Sequence, residues 1–310
     1  MELRHLRYFI AVAEERHITR AAARLNMQQP PLSQQIRALE HELGFALFTR
    51  HPKGVDLTAA GERYLAHVHD VLDRLRAAGE EGQRIATGLE GSLAVCFTSS
   101  AAAHPLTSLI IRAYRKAYPG VAVKVEEGSA QAVTERLVEQ QVAVGFLRAP
   151  VAEHPALAFH HLGDEPMLLV LPIDHPLLAD APLDARGLPS IALAGLAQER
   201  FILVRRPGAP GMYANLLEAC RRAGFDATVA FEVERMLTNV SLVAAGEGVS
   251  VVPASMHNVL AGSVRYCSLR DVQPPLVAPL TLVTRTPEGS PAAQRFAELA
   301  RRLSRGEAGH

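Results

Sequence analysis

Gln29, Ser33, Gln34 and Arg37 recur at helical spacing along one stretch of the 310-residue chain. Amide, hydroxyl and guanidinium groups on one helix face match the donors and acceptors that base edges present in a DNA major groove. The turn Pro52-Lys53-Gly54 follows, with Arg50 and Lys53 at its expected tip. Cations placed there suit phosphate oxygens. Farther along, Ser99 and Ser100 lie between a predicted strand and a predicted helix, and Ser129 follows the next strand in the same manner. Hydroxyls and free amides at helix N-termini bind carboxylates well. A solvated hairpin would account for the polar helix face alone, and simple capping for any one serine, so the surrounding elements must decide.

Other chemistries find less support. Thirteen histidines invite a metal or catalytic reading. Yet His67 and His69 point to different faces of a predicted helix, and His160 and His161 alternate across a predicted strand. Cys96, Cys220 and Cys267 are widely spaced and odd in number, which argues against a disulfide framework or paired zinc ligands. A redox role for Cys96 lacks a partner cysteine nearby in sequence. With no glycine-rich phosphate loop and no nucleophile elbow, the expectation is no enzyme, no metal and no cofactor.

The elements that would carry the first group come early. Leu3, Leu6, Phe9, Ile10 and Ala13 predict an amphipathic helix ending near Arg16-His17. Thr19 is the expected N-cap of a short second helix closed by Leu25-Asn26. Pro30-Pro31 opens a third, since proline is tolerated in a first helical turn. Behind it Leu32, Ile36, Leu39 and Leu43 form an apolar stripe ended by Gly44. Gln28, just before this helix, is a poor N-cap. Residues 46–57 then read as a small β-hairpin, a wing. Thr58 caps a long helix in which Gly61, Leu65, Val68, Leu72, Leu75, Gly79, Gly82, Ala86 and Leu89 follow the four-three spacing of a coiled-coil seam. Gly79 and Gly82 weaken its distal half and mark a hinge or a close backbone crossing.

From Gly91 strands alternate with helices. Strands at 93–97, 121–126 and 142–146 with helices at 105–117 and 130–140 follow βαβ logic, which implies a parallel sheet. A second set has strands at 167–171, 201–204, 228–233 and 249–252 with helices at 213–223 and 237–245, before a strand at 280–284 and a helix at 291–303 return to the first. Two such lobes make a clamshell whose ligand sits beyond the carboxyl ends of the strands. Arg205-Arg206 is either a cleft wall or a solvated loop, and the loop is the preferred reading.

The segments Leu6-Arg7-Tyr8-Phe9, Thr19-Arg20-Ala21-Ala22, Gln29-Pro30-Pro31-Leu32-Ser33-Gln34-Gln35-Ile36, Leu39-Glu40, Leu43-Gly44, Leu47-Phe48, Arg50 and Leu57-Thr58-Ala59-Ala60-Gly61 closely resemble the LysR-type transcriptional regulators. Ala244-Ala245-Gly246-Glu247-Gly248-Val249 with Val252-Pro253 resembles that family's effector domain. The resemblance implies a multi-domain chain: a mostly α N-terminal winged helix-turn-helix at 1–58, a linker and dimerisation helix at 59–90, and a two-lobed α/β effector domain of the periplasmic-binding-protein type at 91–310. Lobe I would take about 91–163 and 267–305, lobe II about 164–266. DNA contacts are implied for Thr19, Arg20, Gln29, Pro30, Pro31, Ser33, Gln34, Arg37, Arg50 and Lys53. An effector cleft is implied at Ser99, Ser100, Ser129, Arg148 and Val204. The implied partners are an interrupted palindromic operator of double-stranded DNA, further copies of the chain as a dimer of dimers, a small organic-acid effector and RNA polymerase. Residues 1–39 and Val144-Gly145-Phe146-Leu147-Arg148 most resemble the branch controlling catabolism of aromatic acids and chloroaromatics. An effector-independent or redox-responsive regulator of the same family is the alternative.

Composition agrees with this. A chain of 310 residues has room for two or three cores. Its 48% apolar content is ordinary for globular proteins, and no apolar run approaches the ~20 residues of a membrane helix. Zero net charge makes any DNA footprint local, and residues 1–53 hold eight basic against five acidic side chains. The N-terminus enters a helical pattern without a secretory signal, so a cytoplasmic location is expected. A periplasmic solute-binding protein would share the clamshell but lack the N-terminal head.

Overall fold

A computed structural model of the chain describes residues 1–148, 154–204, 213–287 and 289–306. Two compact units emerge, Met1–Gln83 and Arg84–His310. The first contains α1 (Leu3–Glu15), α2 (Ile18–Arg24), α3 (Gln29–Leu43), the hairpin β1 (Phe48–His51) and β2 (Gly54–Leu57), and most of α4 (Ala59–Ala86). Leu6, Phe9 and Val12 of α1 close with Leu32, Ile36 and Leu39 of α3 onto Leu47, Phe48 and Val55, and the small Ala21 and Ala22 let α2 approach. Val68 is buried in the same core, with Leu65 and Leu72 packed against it. The first turns of α4 therefore complete the head, and the head extends past the expected boundary at residue 58.

Gly61 has the same explanation. A Cβ there would lie 2.2 Å from the Leu47 carbonyl oxygen, so this glycine serves close packing within the head, not the seam. Gly79 and Gly82 meet nothing within 4 Å, so neither marks a crossing of this chain's own backbone. Caps follow local chemistry with one correction: His17, not Thr19, caps α2, its Nδ1 accepting the Thr19 N–H at 3.2 Å. The imidazole nitrogen reaches the free amide as a carboxylate would. Gln28 makes no side-chain cap, Gly44 ends α3 at φ +79°, and Thr58 Oγ1 accepts the Gly61 N–H at 2.9 Å.

The second unit begins with β3 (Gly91–Phe97), α5 (Ser99–Ala102), α6 (Pro105–Ala117), β4 (Val121–Glu127), α7 (Ala130–Val138) and β5 (Val144–Leu147). It continues through β6 (Leu157–Pro172), β7 (Ser190–Ala192), β8 (Arg200–Val204), α8 (Ala214–Arg222), β9 (Thr228–Val233), α9 (Met236–Ala244) and β10 (Ser250–Pro253). Then come β11 (Val264–Arg270), β12 (Val277–Arg285) and α10 (Pro291–Ser304). As βαβ logic requires, β3 pairs in parallel with β4 and β5, and β8 with β9.

The sheet as a whole is mixed rather than parallel. β12 runs antiparallel to β5 and β6, and β10 and β11 run antiparallel to β6. The cause is β6, whose residues 157–166 pair with β12 in the first lobe while 167–172 pair with β10 and β11 in the second. Only its apolar end, Met167 to Leu171, stands out in sequence, because residues 157–166 carry no regular apolar repeat. β11 straddles the expected lobe boundary at 266/267 yet pairs with the second-lobe part of β6 and with β7. The return to the first lobe therefore begins at β12. Leu93, Val95, Tyr114, Phe146 and Phe296 anchor one core, and Leu169, Phe201, Tyr213, Leu216 and Val251 the other.

Candidate functional site

On α3 the buried stripe faces Gln29, Pro30, Pro31, Gln34 and Arg37, all exposed, with Ser33 half-buried at the edge. The wing closes at the pair His51 and Gly54, leaving Pro52-Lys53 as a two-residue turn. Lys53 is at the tip; Arg50 is one step back, opposite Val55, with its Nη1 3.4 Å from Ser33 Oγ. That contact brings the wing to the polar face of α3.

Three backbone anchors fix the wing. Glu40 Oε1 accepts the N–H groups of Leu47 and Phe48 at 2.8 and 3.1 Å. The Val55 N–H donates to the Arg16 carbonyl at 3.0 Å. Gly54, at φ +147°, sits so close beneath Arg16 that a Cβ would lie 2.3 Å from the same oxygen. Sequence reasoning does not single out Glu40 or Arg16. The available signal for Glu40 is an acid directly after Leu39 of the apolar stripe. Thr19 and Arg20 are exposed at the start of α2, Arg20 with its Nε 3.6 Å from Glu15.

In the second unit, Thr98 caps α5 and Ser129 caps α7, accepting N–H groups at 3.4 and 3.3 Å. Capping therefore explains Ser129 in part. Ser99 is half-buried and its hydroxyl makes no hydrogen bond among the described residues. The buried Ser100 offers its carbonyl to Arg148 Nη2 at 2.5 Å.

Arg148 is 4% exposed and pairs with Glu165 at 2.6 Å, so it works as an internal brace. It also donates to Ser255 Oγ at 3.0 Å, while Glu165 accepts from the Ser255 N–H and hydroxyl. Arg148 follows β5, Glu165 lies on β6 and Ser255 follows β10, so this cluster ties one lobe to the other. Burial lowers the Arg148 pKa and the Glu165 carboxylate opposes that shift. Among the described residues, Arg148 Nε and Nη1 have no hydrogen-bond partner. A second tie across the lobes is Arg235 to Glu127, at 3.5 Å. Val204, half-buried, ends β8; Arg205-Arg206 lies outside the described residues.

Residues 3–62 match the bacterial regulatory helix-turn-helix family of lysR type, and residues 86–305 match the LysR substrate binding domain. The chain belongs to the LysR family of transcriptional regulators. It is 36% identical over 299 residues to the transcriptional regulator BudR of Raoultella terrigena, covering 96% of this chain and all of that one. AlsR of Bacillus subtilis is also 36% identical, over 97% of this chain and 95% of its own. Full-length CbnR in complex with its target DNA is similar in structure, with a TM-score of 0.76 at 27% identity, over 98% of this chain and 100% of that one. This LysR-family chain is thus a DNA-binding transcriptional regulator with an effector-binding domain, in a family of regulators and not of enzymes.

Several histidines of the LysR-family chain have structural work. His17, His51, His104, His154 and His175 each accept, through Nδ1, the N–H two residues on. Among the described residues no group of three or more His, Cys, Asp or Glu could hold a metal ion. All three cysteines are buried; burial pushes the Cys96 thiol up, Cys220 to about 11 and Cys267 to about 12. A thiol held protonated is a poor nucleophile, which weighs against the redox-responsive alternative.

Proposed function

We propose that this regulator reads an interrupted palindromic operator with α3 in the major groove. Gln29, Ser33, Gln34 and Arg37 then face base edges, Pro30 and Pro31 shape the helix entry, and Thr19, Arg20, Arg50 and Lys53 hold the phosphate backbone. The observation that carries this is the division of α3 into a buried stripe and an exposed polar face joined to the wing by Arg50 and Ser33. CbnR, a similar chain solved in complex with its target DNA, supports DNA binding as the function.

From His69 to Ala86 every residue of α4 except Leu72 is exposed, Leu75 among them. An apolar seam on such a helix suits pairing with a second copy, which gives a symmetric dimer, doubled in a dimer of dimers. A chain acting on chromosomal DNA and RNA polymerase would work in the cytoplasm, and no described helix is long and apolar enough to cross a membrane.

A small organic acid, as the resemblance to regulators of aromatic-acid catabolism suggests, would bind between the lobes at Ser99, Ser100 and Ser129, with Val204 as the opposite wall. Arg148 would position Ser100 from beneath. By stabilising one lobe arrangement the effector alters transcription only as far as its affinity differs between the two states. Binding assays on operator and random DNA test the main reading. Gln34→Ala should change specificity by ~1–3 kcal/mol, whereas Lys53→Ala should weaken all sequences alike and flatten the salt slope. Equal losses on both DNAs for Gln34→Ala would refute it.

A further inference from the structure

The two cations of the wing are held differently. Side chains alternate along a strand, so Arg50 and His51 point to opposite faces of β1. Arg50 reaches Ser33 of α3, while His51 turns to the tip. Its Nδ1 accepts the Lys53 N–H at 3.2 Å, and its Nε2 lies 3.1 Å from Asp56 Oδ2. Pro52 has no N–H, so the Lys53 amide is the one donor within the two-residue turn. A neutral imidazole with its hydrogen on Nε2 satisfies both partners, accepting through Nδ1 and donating to the carboxylate.

We propose that His51 is a positioning residue for DNA binding: its imidazole spans the wing turn and sets the course of Lys53, so affinity depends on His51 through Lys53. The proposal rests on the assignment of Lys53 to the phosphate backbone. It needs no contact between His51 and DNA, and it applies to any sequence, because phosphate contacts carry no base information.

The test is a double-mutant cycle in the full-length chain, measured on operator and random duplexes over a salt series. Lys53→Ala alone reads the phosphate assignment and should lower the salt slope by about one. His51→Ala should weaken both DNAs by about three- to tenfold, as loss of one hydrogen bond allows. His51→Asn should recover most of that, since a short side-chain carbonyl also accepts the N–H two residues on. In the Lys53→Ala background, His51→Ala should cost nothing further. An undiminished loss in that background, a silent His51→Ala, or no rescue by asparagine overturns the positioning role. A silent Lys53→Ala overturns the phosphate assignment itself and removes the route through which His51 is proposed to act. Thermal melts of each variant check that the exposed hairpin change leaves the head folded.

Discussion

Glu165→Gln removes a charge while keeping shape, and it should cost the effector-binding unit about 3–5 kcal/mol, the range for breaking a buried ion pair from one side. Arg148 and Glu165 are 4% and 11% exposed, so neither charge has water to fall back on. Two charges roughly 4 Å apart at an effective dielectric near 20 attract by about 4 kcal/mol, in the same range. Burial lowers the Arg148 pKa, but an arginine starts too high to become neutral, so the variant keeps an unpaired buried cation. Glutamine retains one oxygen for the Ser255 N–H, which keeps that part of the network. Calorimetric unfolding of the full chain should show one transition falling by about 6–20 °C, at roughly 2–4 °C per kcal/mol for a unit of this size. Adding Arg148→Met should restore most of the loss, because no charge then remains buried. A shift under about 2 °C for Glu165→Gln, or a double variant as unstable as the two single losses summed, would refute the reasoning.

Gly54→Ala should unfold or strongly destabilise the head and abolish operator binding, since its Cβ would lie 2.3 Å from a backbone oxygen at a φ of +147°; near-wild-type retardation on operator DNA would show the contact relaxes freely. Leu75→Asp should dissociate the oligomer in light scattering with little change in melting of the head, because Leu75 is 48% exposed in the single chain; an unchanged mass would move the pairing surface elsewhere. His104 caps α6, and its pKa is lowered from 6.5 by burial first and by Arg148 as well, against Glu165. Below pH about 6.5 the unfolded chain binds a proton that the folded chain resists, so this contribution is present above that pH and is lost as pH falls through the lower folded value. His104→Asn keeps a cap and should flatten the acid limb of stability in urea titrations; an unaltered limb would assign the pH dependence to other groups.

Much of the head is legible in sequence. The stripe of Leu32, Ile36 and Leu39, the opposed Gln29, Gln34 and Arg37, the stop at Gly44 and the cap at Thr58 all express helix periodicity and end chemistry, which depend on residues a few positions apart. The first lobe's βαβ pattern is local in the same sense. Motif resemblance adds the family, because a winged head and an effector domain occur together along the chain.

What the tertiary structure decided is long-range partnership. Nothing near β6 in sequence shows that its first half pairs with β12 and its second with β10 and β11, so the sheet's mixed direction and the true lobe boundary were hidden. Gly61 has seam spacing, but its role is set by the Leu47 carbonyl across the head. Arg148 reads as a free cation at a strand end until Glu165 and Ser255 arrive beside it, from a strand two places along the sheet and from the other lobe. Periodicity reports which face of an element is buried; it carries no information on which distant strand, carbonyl or carboxylate that face will meet.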